Sequence, residues 1–424
     1  MTVWLPRWRR ARRALARQIA SPLGAVVVEG FLSRLAFGLI SFALPLYAHS
    51  LGMSLATIGL LLSANMAVAV VLKPAMGWVV DRFGVRPAYL VAVSLRTVVL
   101  LMLVFAVTPW QLFAARGLHG VAIALRDPAA TTVLAGLGGR TAIAQRFAWY
   151  QTAKTVAGSG GQFAAGVLLT VLLGGYAPVF ALAAVISALP LGLMMWRLRG
   201  PAVDTLKLPP RPRSEPAPPR MLRALLPYAG LGFLATSTAY LMSNLLPVLV
   251  VEYVGLPPAA AGSLYAVTAV VALSGPAWGW VADHISHRLV LSMRALGNVL
   301  SSLIWLAAPT YPGLLVGKAA DDVGKAAFRP AWGALMGRMA DRDPHRRART
   351  MSWLGSAEDL GEVAGPLAAG LIWTLWGVPA LLIVRAVLGL ATEAYALLLD
   401  HRPDHPTNRP GMSRAQPHCL IEPN

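Results

Sequence analysis

Eleven cations and eight acids interrupt stretches of sequence that are otherwise apolar. The cations are Arg34, Lys73, Arg96, Arg116, Arg126, Lys154, Arg294, Lys318, Lys325, Arg329 and Arg385; the acids are Glu29, Asp127, Asp321, Asp322, Glu358, Asp359, Glu362 and Glu393. An ionisable group in hydrocarbon costs a few kcal/mol or more unless it has a partner or faces a water-filled cavity. The densest cluster is Lys318, Asp322, Lys325 and Arg329, whose spacings of 4, 3 and 4 put them on one face of an α-helix. Such a face could hold an anionic group, or act as a switch in which pairing expels a carboxyl proton. It could also neutralise itself, since Lys318 with Asp322 and Asp321 with Lys325 are i,i+4 pairs. Arg116, Gly120, Ile123 and Asp127 repeat the same spacing earlier in the chain.

The elements that carry these groups follow from composition. The chain has 424 residues, 56% of them hydrophobic and only 13% charged, yet a net charge of +19. Its mean hydropathy is +0.60. A soluble chain is roughly one quarter charged, so the numbers describe a membrane protein and leave no soluble face for a nucleic-acid-binding stripe. The single Cys419 builds neither a disulfide framework nor a thiolate metal site. Twelve apolar segments are long enough to cross a hydrocarbon core of about 30 Å. They divide into a basic leader (1–23), a six-helix bundle (24–196), a Pro/Arg-rich linker (197–221), a second six-helix bundle (222–399) and a tail (400–424). The expected class is an all-α integral membrane fold. Of the 37 Lys and Arg, 26 fall in loops and tails on the side of the N-terminus and none in the opposite loops. The positive-inside rule then puts both termini in the cytoplasm and the chain, multi-pass, in the cell membrane. The leader, with Trp4 and Trp8 among its arginines, is expected to lie on anionic lipid headgroups.

The two halves repeat. KPAMGWVVDRFGVR from Lys73 aligns with GPAWGWVADHISHR from Gly275 at an offset of 202, with seven identities in fourteen. At the same offset Arg116 lies over Lys318 and Asp127 over Arg329; Gly161, Ala165 and Gly166 lie over Gly365, Ala369 and Gly370 at 204. Two bundles about a pseudo-two-fold axis, serving alternating access, are the arrangement such a repeat implies.

Gly77 to Arg86 (GWVVDRFGVR) resembles the signature G-x-L-A-D-R-x-G-R-K of the major facilitator superfamily, and Gly279 to Arg288 is a weaker copy. Arg116-x-x-x-Gly120 resembles the family's second motif, R-x-x-x-G. The sequence departs from the signature at Val85, where a basic residue is usual, and from the antiporter motif of helix five, where Gln162 replaces proline.

That resemblance implies roles. In the family the signature loop locks the cytoplasmic side together with an acid in helix four, so Gly77, Asp81, Arg82, Arg86, Asp127, Asp283 and Arg329 are expected to form a latch. Asp283 would pair with Arg329, and Asp127 with Arg82 or Arg86. Family helices one, four, seven and ten line the central cavity, which would make Arg116 and Lys318 related cations facing one another across it. Arg34, His119, Lys154, Tyr240, Asn244, Asp322 and Lys325 join the candidate cavity, although a histidine in the position of His119 is more often a packed helix residue than a ligand. Glu29, roughly 8–10 Å from the cytoplasmic end of helix one, resembles the carboxylates of proton-coupled drug antiporters, with Arg116 as its switch. The alternative is an ion pair with Arg34 or with a helix-four cation. Lys73 is expected to bridge to Glu358 or Glu362 of helix eleven and so gate the inner side.

The resulting expectation is a secondary transporter that works by alternating access. It would export a small amphiphilic or charged compound in exchange for protons, as a monomer and without metal or cofactor. Import or exchange of organic anions is the alternative, favoured by the excess of cations over acids in the helices. A membrane-embedded prenyl-transfer enzyme, holding a Mg2+-diphosphate on Asp321 and Asp322, is a remote third. No G-x-x-x-x-G-K-[ST] loop is present to drive transport with ATP.

Overall fold

The computed structural model describes residues 22–136, 143–197, 219–341 and 347–400. The expected leader, linker and tail fall largely outside these residues. The first half comprises α1 (Pro22–Ser50), α2 (Leu55–Phe83), α3 (Val85–Val104), α4 (Pro109–Gly136), α5 (Ile143–Val171) and α6 (Tyr176–Arg197). In the second half α7 (Pro219–Ser243) continues, after a break, through Leu246–Val248 and a π turn at Leu249–Tyr253. The next helix, α8, comes in two pieces, Pro258–Ala272 and Gly275–His284, and is followed by α9 (His287–Ala307) and α10 (Tyr311–Asp341). The long run Arg347–Asp400 is two helices, α11 (347–376) and α12 (378–400), separated at Gly377 by a φ of 78° that only glycine adopts without strain.

Seven stretches are apolar and long enough to cross a membrane, among them the 50-residue Thr350–Leu399 that contains both α11 and α12, and bent α8 passes as a pair. The spans absent from that set are α4, α5 and α10. α10 alone carries Lys318, Asp321, Asp322, Lys325 and Arg329, so it is stable at membrane depth only if protein or water covers those groups.

One apolar core joins both halves at the end opposite the chain's entry into α1. It runs from Phe42, Leu46 and Ile58 to Leu245, Leu249, Leu264 and Trp373. At the other end the cores separate: Val26, Tyr89 and Met194 belong to a cluster within the first half, Tyr228, Trp332 and Leu399 to one within the second.

Two equivalent clamps join the halves at the closed end. Between α2 and α11, a Cβ on Gly59 would lie 2.3 Å from the Pro366 carbonyl oxygen and one on Gly370 would lie 2.4 Å from that of Leu55. Between α5 and α8, a Cβ on Gly166 would lie 2.5 Å from the Pro258 carbonyl oxygen. Backbone contact of this kind needs glycine, the usual device of tightly crossed membrane helices. One turn further on, the Thr374 hydroxyl accepts from Ala56 N at 2.9 Å and the Thr170 hydroxyl from Ala259 N at 2.8 Å. Each threonine thereby satisfies a free N–H at the start of a helix in the other half.

The clamps also show where the repeat loses register. Ala56 and Gly59 correspond to Ala259 and Gly262 at an offset of 203, whereas the motif from Lys73 corresponds at 202. α8 is therefore one residue shorter than α2 between these points. A deleted residue turns the rest of a helix by about 100°, and within that interval α8 breaks and bends by 46°.

Candidate functional site

A cavity of about 900 Å³ lies between the halves. Its deep end is marked by Leu246, Tyr265 and Trp305, beneath the shared core, and its mouth by Met336, Ser352 and Gly355 at the end where the two cores are separate. The volume suits a small-molecule ligand. Among the described residues the lining is unequal: the first half supplies Arg34, Lys73, Gln151 and Gln162, and the second half supplies the rest. Of the expected cavity residues, Arg34, Tyr240, Asn244, Lys318, Asp322 and Lys325 line it. Arg116, His119 and Lys154 do not.

α10 carries the centre of the site. Asp322 pairs with Lys318, and both bond Thr268 of α8, Lys318 donating at 2.6 Å and the Thr268 hydroxyl donating to Asp322 Oδ2 at 2.6 Å. Asp321 accepts from Lys325 at 2.6 Å and from Arg385 of α12 at 2.7 Å, with Arg294 of α9 at 3.4 Å. Arg385 is fully buried and also donates to Asn298, Ser301, Ser302 and the Thr238 carbonyl, which fixes it. Both i,i+4 pairs anticipated within α10 are thus formed. Asp321 and Asp322 face ammonium and guanidinium groups, and of their oxygens Asp322 Oδ1 makes no hydrogen bond, with Lys325 3.7 Å away.

The corresponding helix of the first half behaves differently. Arg116 donates to the carbonyls of Leu61 (3.3 Å) and Leu62 (2.7 Å) and to the Asn65 side chain, all on α2. It therefore staples α4 to α2 and does not face Lys318 across the cavity. A Cβ at Gly120, the other motif residue, would lie 2.4 Å from the Asn65 carbonyl oxygen, which explains why glycine stands there. Among the described residues α4 consequently contributes nothing to the lining, while α5, α8, α9 and α11 do. His119 stacks on Phe37 at 4.1 Å, and the Lys154 ammonium lies 5.0 Å from the centre of the Tyr150 ring.

Glu29 is completely buried and away from the cavity. Its carboxylate accepts from Arg126 at 2.5 and 3.0 Å, from Tyr89 at 2.6 Å and from Ser33 at 2.7 Å, while Arg96 lies 3.8 Å away. Of the two readings left open by the sequence, this is the ion pair with a helix-four cation, and it ties α1 to α3 and α4 in a dry core. Among the described residues the acids that do face the cavity are Asp321, Asp322, Glu358, Asp359 and Glu362.

The bridge between halves near the mouth runs from Lys73 to Asp359, at 2.5 Å, instead of to Glu358 or Glu362. Those two line the cavity beside it, with Glu362 in electrostatic reach of Arg34 and Tyr240. Asp359 sits one residue, about 100° of helix turn, from Glu358 and thus on the side that meets α2. In the expected latch, Gly77 is buried in α2. Asp127 lies 3.8 Å from Arg126, the Arg82 guanidinium lies over Trp78 at 5.7 Å, and Arg329 lines the cavity. Arg86 is half-buried at the start of α3. The side chains of Asp81 and Asp283, and with them the pairing of Asp283 to Arg329, lie outside the described residues.

Arg294, Tyr265, Thr268 and Arg385 join the site on structural grounds and are not among the site residues expected from sequence. For the two arginines the signal was present as cations at membrane depth. For Tyr265 and Thr268 only the packing of α8 on α10 reveals it.

Comparison with known proteins gives one family. The sequence profile of the Major Facilitator Superfamily matches residues 26–272 and 228–420. The multidrug resistance protein MdtH of Yersinia enterocolitica is 27% identical over 338 residues, which is 74% of this chain and 79% of MdtH. A putative multidrug resistance protein MdtD of Klebsiella pneumoniae is 36% identical over 98 residues, 23% of this chain and 21% of MdtD. Among solved structures, a POT family transporter in complex with a thioalcohol-conjugated peptide superposes with a TM-score of 0.72 at 15% identity, over 89% of this chain and 96% of its own. The human organic anion transporter MFSD10 superposes at 0.64 and 18% identity, over 88% and 98%. At such identities the structural likeness speaks for the fold.

Proposed function

The chain belongs to the Major Facilitator Superfamily, a family of membrane transporters and not of enzymes, and from that premise we propose that it exports a small amphiphilic or charged compound in exchange for protons. The observation that carries this reading is the one-sided cavity. It is sealed by the paired glycine and threonine clamps at one end, and its mouth lies at the end of the termini, the end that loop charge assigns to the cytoplasm. A compound enters from the cytoplasm, the clamps part as the mouth closes, and it leaves on the other side. Glu358 and Glu362 are the carboxyl groups placed to exchange protons with cavity water, whereas Glu29 is sealed from it. The names of MdtH and MdtD as multidrug resistance proteins support export. Exchange of organic anions is the second reading, favoured by the cations gathered around Asp321.

The test is transport in proteoliposomes with an imposed pH gradient, screening amphiphilic compounds for uphill movement. Glu362→Gln is expected to abolish gradient-driven accumulation while exchange of labelled for unlabelled compound continues. Accumulation that is indifferent to the gradient would overturn proton coupling.

A further inference from the structure

We propose that the group of charged residues joining α8, α9, α10 and α12 is an anion-recognition subsite, so that the transported compound carries a carboxylate, sulfonate or phosphate. This rests on the cavity being the transport site.

Charge arithmetic comes first. Arg294, Lys318, Lys325 and Arg385 surround only two carboxylates, Asp321 and Asp322. Four cations against two acids leave an excess of two positive charges. A buried cation without a counter-charge is expensive, so the excess calls for an anion from the cavity. Unused donors outnumber the one unused acceptor of the group, Asp322 Oδ1, which has Lys325 3.7 Å away. Arg294 is 4% exposed, yet its Nη2 makes no hydrogen bond, and the residue lines the cavity. Its other terminal nitrogen is spent on Asp321, so Nη2 is the half of the guanidinium kept for something else. The buried Tyr265 hydroxyl, also in the lining, has no partner either. Lys325, with about a third of its side chain accessible, donates to Asp321 and Ser243 and has a third donor to offer. A guanidinium edge, an ammonium and a hydroxyl at one wall make a set that recognises oxyanions.

Geometry adds a polarity. Deep in the cavity the cations outnumber the acids, whereas nearer the mouth Glu358, Asp359 and Glu362 of α11 are matched by Arg329, Lys73 and Arg34. An amphiphile therefore enters with its anionic end leading, and its apolar body lies between Phe328, Trp332 and Met336.

The test is equilibrium binding to the full purified chain in detergent, read by thermal shift. The probes are 1-naphthoate, naphthalene-1-sulfonate and 1-naphthyl phosphate, set against 1-naphthalenemethanol and 1-naphthylmethylammonium. The three anions are expected to bind at least about tenfold more tightly than the alcohol or the amine, the worth of one charge-assisted hydrogen bond. Arg294→Gln and Lys325→Gln should each remove that advantage and leave the alcohol unchanged. Because Arg294 also holds Asp321, the more exposed Lys325 keeps the test decisive if the Arg294 variant does not fold. Equal affinity for anions and alcohol, no binding of any anion at millimolar concentration, or folded variants with unchanged anion affinity would each overturn the subsite. Phosphatidylglycerol added to the micelles separates two sources of the anion. Displacement of the naphthyl anions identifies a lipid headgroup, and retention identifies a soluble compound; both keep the subsite. Selective anion binding without gradient-driven movement would leave it standing and overturn proton-coupled export, and the reverse result would overturn the subsite alone.

Discussion

α4 and α10 hold the same places in the two halves and have opposite fates. Arg116 reaches Asn65 of α2, and at the equivalent contact Lys318 reaches Thr268 of α8. One turn on, α4 has Gly120 where α10 has Asp322. The glycine lets α4 and α2 close until no side chain fits between them, and the arginine then has only backbone and an amide to bond. With a carboxylate in that position α10 cannot close on α8 in the same way, and Asp322 takes up the space by bonding both Lys318 and Thr268. A single position thus separates a helix packed dry on its neighbour, α4, from one that lines the cavity, α10.

The most direct way to break this comparison is to give the first half the residue of the second. In Gly120→Asp the new Cβ would meet the Asn65 carbonyl oxygen at 2.4 Å and the Val68 Cβ at 2.7 Å. Backbone there cannot yield cheaply, and the carboxylate has no cavity to face. Fluorescence-detected size-exclusion chromatography after heating should show little or no folded protein. Gly120→Ala, which adds the Cβ alone, should lose about 1–3 kcal/mol. A well-folded Gly120→Asp protein would show that α4 and α2 are free to part and would dismiss glycine as the cause of the difference.

The acids of the two halves offer the next test. Glu29→Gln removes one partner from a buried group containing Arg126 and Arg96, and should destabilise by about 3–5 kcal/mol. The loss should appear as a lower melting temperature at every pH, with the gradient dependence of surviving transporters intact. Glu362→Gln faces the cavity and should melt close to the parent while losing gradient-driven transport. If Glu29→Gln melted normally and uncoupled transport from protons, the roles assigned to the buried Glu29 and the cavity-facing Glu362 would be reversed.

Composition, the repeat and the signature loop are enough to read twelve spans, two bundles and the family, because hydropathy and the need to satisfy every backbone group leave few alternatives at membrane depth. Whether a charged residue at that depth faces water or a neighbour is harder to read. Arg116 and Lys318 look alike in sequence, and their difference lies in a neighbouring glycine and in the packing of α2 and α8. Glu29 has the depth and chemistry of a coupling residue, and only the convergence of Arg126, Tyr89 and Ser33 on it reveals the buried ion pair. Lys73 missed its anticipated partners by one residue, since face assignments on a helix shift by about 100° per position.

The smallest expected effect concerns the mouth, where the two interfaces between the halves differ again. α2 meets α11 through Lys73 and Asp359, at 2.5 Å. At the corresponding places on α8 and α5 stand Gly275 and Thr155, so the second interface has no equivalent bridge. With side-chain exposures of 29% and 24%, the Lys73–Asp359 pair is partly screened by water and should be worth about 0.5–1 kcal/mol. Lys73→Ala should therefore shift the balance of mouth widths only about two- to fivefold. Spin labels at the exposed Val71 and Leu360, read by pulsed electron resonance, would report that as a modest gain in the longer distance. Asp359→Ala should match it, and the swap of Lys73→Asp with Asp359→Lys should restore the parent distribution. A shift of a hundredfold, or a swap that restored nothing, would mean that the mouth is held by more than one charge pair and that its two interfaces are more alike than the bridge makes them.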